Sequence, residues 1–128
     1  MRLTVLPDIL AICRLPPDQD VPSWAFRNRS FVAVTYTDEE LSIVCSEVAV
    51  PRDIRQQTGW RAFKVFGPLD FSLTGVLSGL AAPLADAGIS VFAVSTFDTD
   101  YLLVRDSALQ AAQTLLAGAG HEITPFTP

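Results

Sequence analysis

The sequence is short of the groups that covalent chemistry needs, with one histidine and two cysteines in 128 residues. His121 follows a glycine-rich stretch near the C-terminus and reads as the solvent-side start of an edge strand, not as a general base. Cys13 and Cys45 lack C-x-x-C spacing, so the zinc patterns are absent. Each lies in an apolar run, and we read both as small buried hydrophobes in preference to a disulfide or a reactive thiol. No G-x-S-x-G elbow, P-loop or G-x-G-x-x-G occurs. No catalytic residue is assigned, no cofactor is expected, and the chain reads as non-enzymatic. Basic residues are also scarce, nine against fourteen acidic, for a net charge of −5. Only Arg27/Arg29 and Arg52/Arg55 lie close together, which is too thin a footprint for nucleic acid. No apolar run approaches the roughly 18–20 residues that cross a bilayer. The N-terminus lacks the basic flank and cleavage pattern of a signal peptide. No membrane partner is implied, and a cytoplasmic location is expected.

What is present is apolar: 49% of residues against 18% charged. A chain of this size fits one domain or two very small ones, and buries roughly two-thirds of its extended surface. The apolar excess over what a small monomer needs suggests a buried interface with a second copy, a homodimer.

The most position-specific stretch is residues 66–106. Val76, Leu77, Leu80, Ala81, Leu84 and Ala85 recur at three- and four-residue spacing, which predicts a helix. Ser72 or Thr74 would cap its start and Gly88 its end, with Pro83 discordant inside it. Residues 89–95 and 101–104 predict two strands joined by the polar turn 96–100. Asp106 or Ser107 would cap a second helix, with a last strand over 121–124 and an earlier one over 60–66. The order is β-α-β-β-α-β, an α+β ferredoxin-like module with its helices on one face of the sheet. Before it, strands are expected over 3–6, 10–13, 31–36 and 41–45, a loop over 15–30, and a plain connection over 51–59. The first half thus echoes the second without its helices. We place an abbreviated half at 1–58 and the full module at 59–128.

Asp98-Thr99-Asp100 brings two carboxylates to one face of a strand entry, too few for a metal site. A solvated self-capping turn is one reading, and a carboxylate poised for a small cationic group is another. At the other end, the amides of the helix start near Thr74, Gly75 and Val76 suit a carboxylate. Gly75 also leaves room for close approach, although a packing role is equally open. Together the two ends would suit an amino-acid zwitterion.

The run PLDFSLTGVLSGLAAPLADAGISVFAVSTFDTDYLLV resembles an ACT regulatory domain. With FVAVTYTDEELSIVCSE, the chain is similar over residues 1–124 to small bacterial tandem-ACT proteins and to each half of the CASTOR arginine sensors. The resemblance implies a ligand-binding regulatory protein that holds an amino acid where ACT modules meet. It further implies that Asp100 takes a cationic group, that Thr96 and Phe97 supply backbone and a packing wall beside Asp98, and that Leu73, Thr74, Gly75 and Val76 hold the α-carboxylate. A homodimer would supply the second pair of modules, and any output would pass through an unidentified regulated protein. The alternative is a ligand-free assembly module of the same fold.

Overall fold

The computed structural model describes residues 1–67 and 75–126. In chain order its elements are β1 (Arg2–Val5), β2 (Leu10–Leu15), β3 (Ala33–Tyr36), β4 (Leu41–Ser46), β5 (Arg55–Val65), α1 (Val76–Asp86), β6 (Phe92–Ser95), β7 (Asp100–Arg105), α2 (Leu109–Gly118) and β8 (Glu122–Thr124). They form two compact units. One is Asp8–Trp60; the other joins Met1–Pro7 to Arg61–Pro128. This differs from a cut at 58/59, because β1 pairs antiparallel with β5, Leu3 opposite Val65.

The larger unit carries strands in the order β6-β7-β5-β1-β8. From Arg61 onward it runs β-α-β-β-α-β, the expected α+β arrangement. Alternation along its strands sends Leu3, Phe63, Val65, Leu102 and Val104 to one face, where they pack with Leu80, Leu84, Ala112 and Leu116 of the helices. Leu80 and Leu84 are fully buried, and burying such a side chain contributes about 1.5–3 kcal/mol. That covered face holds α1 together through Pro83.

Several local details differ from expectation. α1 has Gly75 as its N-cap, with no side-chain capping bond; Ser72 and Thr74, the expected caps, lie outside the described residues. α2 is preceded by a one-turn 3₁₀ helix, Asp106–Ala108, and its N-cap is Ala108, not Asp106 or Ser107. β6 is shorter than the apolar run that announced it. Ile89 and Val91 still pack against the core while lying outside the strand.

In the smaller unit the strand order is β3-β4-β2-β5. Residues 55–59, expected as a connection, are strand, with Cys13 opposite Gln56 and Arg14 opposite Arg55. A 3₁₀ turn, Ser23–Phe26, lies within the expected loop. The core is Ala11, Cys13, Leu15, Ala25, Leu41, Ile43 and Cys45, with Trp24 packed against it. Both cysteines are free and buried, the small hydrophobes expected. A hydrogen bond with Cys45, together with burial, pushes the Cys13 thiol far above the usual thiol range.

The echo between halves is regular. Ala33–Tyr36, Leu41–Ser46 and the 3₁₀ turn Glu47–Ala49 recur as Phe92–Ser95, Asp100–Arg105 and Asp106–Ala108 at one constant offset. Both hairpins close in the same way. The Thr37 amide donates to the Glu40 carbonyl at 2.9 Å, and the Thr96 amide donates to the Thr99 carbonyl at 2.8 Å.

Candidate functional site

Two features converge on the helix-bearing face of the larger unit. The first is the start of α1. Gly75 sits at φ 78°, ψ 0°, the left-handed region where a Cβ is penalised. This conformation turns the chain into the helix, whose first internal bond runs from the Gly79 amide to the Gly75 carbonyl at 2.9 Å. The amides of Val76 and Leu77 precede that bond and have no acceptor within the helix. Ser78 Oγ donates to the Gly75 carbonyl at 3.2 Å and steadies the turn.

The second feature is the β6–β7 hairpin. Ser95 faces Asp100 across the last rung before the loop, so both side chains share a face. Ser95 Oγ donates to Asp100 Oδ1 at 2.7 Å. Asp100 Oδ2 has no protein partner among the described residues. Thr99 anchors the turn from below. Its buried hydroxyl donates to the Val65 carbonyl at 2.6 Å.

Between these features lies an open cleft of about 590 Å³, lined by Gly75, Val76, Leu77, Ser78, Ala81, Ser95 and Asp100. That volume falls within the roughly 300–1,000 Å³ of small-molecule sites. One end offers helix amides and a partial positive charge, the other a carboxylate, and Val76, Leu77 and Ala81 form an apolar wall. Such an arrangement can hold a small molecule with an anionic group at one end and a cationic group at the other.

Of the residues singled out in the sequence, Gly75, Val76 and Asp100 line this cleft. Leu73 and Thr74 lie outside the described residues. Thr96 and Asp98 line a different cleft. Phe97 stands 79% exposed near the hairpin tip and lines neither of the two. Ser95 and Ser78 were missed. Ser95 becomes visible once the loop is fixed at four residues, because that register makes it the partner of Asp100.

The smaller unit lacks this constellation. At the positions matching Ser95 and Asp100 it carries Tyr36 and Leu41, paired in the same way. Leu41 is fully buried, and the Tyr36 hydroxyl donates to the Gln19 carbonyl at 2.7 Å. No group of His, Cys, Asp and Glu residues able to hold a metal occurs among the described residues. No helix among them is long and apolar enough to cross a membrane.

A family model described as "ACT domain" matches residues 55–118, half of the chain. A second model, of an N-terminal domain, matches residues 8–53, nearly the extent of the smaller unit. The bovine protein named cytosolic arginine sensor for mTORC1 subunit 1 is 29% identical over 115 residues. That alignment takes in 83% of this chain but only 35% of the sensor's length. A crystal structure of an Agobacterium tumefaciens protein is 42% identical, covers 99% of this chain and 94% of its own, and superimposes with a TM-score of 0.91. The regulatory subunit of aspartate kinase from Thermus thermophilus shares the fold at 14% identity, with a TM-score of 0.59 and coverage of 91% and 95%.

Proposed function

Because the chain belongs to the ACT-domain family, we propose that it is a non-enzymatic regulatory protein that binds an amino acid in the cleft between the start of α1 and Asp100. The observation that carries this reading is the joint presence of Gly75, Val76 and Asp100 on one cleft of about 590 Å³. The α-carboxylate lies against the first-turn amides, the cationic group meets the Asp100 oxygen left open by Ser95, and Val76, Leu77 and Ala81 contact the aliphatic part. The cleft is open, and exclusion of water requires a cover. A second copy of the chain supplies that cover in a homodimer, with the ligand at the ACT–ACT interface. Similarity to an arginine sensor supports the amino-acid class. Ligand occupancy is then passed to a regulated protein in the cytoplasm.

Native mass spectrometry of the freshly purified full chain tests both parts together. The reading expects a dimer that retains a small molecule of amino-acid mass, or takes one up on addition. A monomer that takes up none of the twenty amino acids would discard it. The exposed side chain of Phe97, beside the hairpin edge strand β6, favours a second reading: a ligand-free module that assembles through this edge. A dimer that stays empty in the same spectra selects that reading.

A further inference from the structure

The hairpin that carries Asp100 has a second face. Successive side chains of a strand alternate, so Lys64 lies opposite in direction to Phe63 and Val65, and Tyr101 to Leu102. These two, with Phe66, Gly67, Thr96, Asp98 and Thr99, line a separate cleft of about 360 Å³. It has one positive and one negative side chain, and the two do not pair. Among the described residues neither Lys64 nor Asp98 forms an ion pair. Lys64 is the chain's one lysine. The floor is fixed at both ends, since the Arg2 guanidinium stacks 4.6 Å from the Phe66 ring centroid and Thr99 is tied to the Val65 carbonyl. Burial, and then the nearby Asp98 carboxylate, raise the Tyr101 phenol above its usual range.

Two opposite charges that share a small cleft without meeting leave each other's place for a ligand. We propose that this cleft is a second binding site, for a small zwitterion whose carboxylate meets Lys64 and whose ammonium meets Asp98. Thr96 and Tyr101 line the cleft on the same hairpin as Asp98, and the Phe66 ring supplies an apolar wall. This site is independent of the Asp100 cleft, since the two clefts have no residue in common.

The test is amide-resolved NMR titration of the intact chain with glycine, L-alanine, L-lysine and L-glutamate as probes. Propylamine and propionate serve as controls that each carry one of the two charges. At least one zwitterion should shift the amides of Lys64, Asp98 and Tyr101, and the single-charge controls should bind roughly tenfold or more weakly. Lys64→Gln and Asp98→Asn should each weaken these shifts by a similar factor while the spectrum stays folded. Asp100→Asn should leave them intact, even where it abolishes binding in the Asp100 cleft. The proposal is overturned if no zwitterion shifts these amides at millimolar concentration, or if propionate or propylamine does so equally well. It is also overturned if Asp100→Asn removes the shifts together with all other binding, because a single site then explains both.

Discussion

Thr99 ties the hairpin turn to β5 through its hydroxyl, and Thr99→Val isolates that bond. Valine keeps the shape and β-branching, and the backbone bond from the Thr96 amide to the residue-99 carbonyl is untouched. What is lost is the 2.6 Å bond from Thr99 Oγ1 to the Val65 carbonyl, made at a side chain that is only 6% exposed. A lost partner that leaves a buried acceptor unsatisfied costs about 1–3 kcal/mol, against about 0.5–1.5 kcal/mol for an average exchanged bond. For a chain of this size each kcal/mol moves the melting temperature by about 3–5 °C. The variant should therefore melt about 3–15 °C lower, and urea titration should show a lower midpoint at unchanged slope. Thr99→Ser retains the donor and should lose less. A Thr99→Val protein within about 0.5 kcal/mol of the parent would refute the reasoning, since surface substitutions alone reach that level.

Glycine positions give a paired prediction. Gly75→Ala forces a side chain into the left-handed region and should cost about 1–2 kcal/mol. Gly79→Ala, at a helical position with no atom within 4 Å of an added Cβ, should gain about 0.5–1 kcal/mol; urea melts of both variants check the opposite signs. Cys13 and Cys45 are 1% and 0% exposed, so alkylation by iodoacetamide should be negligible in the native protein and complete in denaturant. Tyr101 should titrate above the ordinary range of a tyrosine when followed by absorbance near 295 nm, and Asp98→Asn should bring it partway back. Because its folded pKa is raised, its contribution to stability is fully present below the unfolded value of about 10. That contribution is lost as pH rises from there through the folded value.

The parts of the fold legible in the sequence are those whose pattern is local. The three- and four-residue spacing from Val76 to Ala85 and the polar turn at 96–100 identify α1 and the hairpin directly, although β7 begins at Asp100, inside that turn. Residues 55–59 (RQQTG) were opaque because their side chains are largely exposed. They are strand only because β2 provides a ladder, which no periodicity within the segment reveals. The pairing of β1 with β5 joins the first residues to a strand some sixty positions later, and that register is equally invisible to local pattern. In the site, residue types pointed to Asp98 and Asp100 alike. Only the register, Ser95 opposite Asp100, assigns Asp100 to the helix-bearing face, while Asp98 lines the other cleft. Gly75 as the cap of α1 escaped notice because hydroxyl residues just upstream satisfy the usual preference better.

Calorimetric titration of the full chain with each of the twenty amino acids, beside an Asp100→Ala variant of equal helicity, bears most directly on the proposed ligand. One amino acid should bind the parent and lose about ten- to hundredfold in affinity in the variant, the consequence of removing a charged hydrogen bond worth about 1.5–3 kcal/mol. A folded parent that binds none of the twenty, or a variant that binds with the same affinity, would contradict the account.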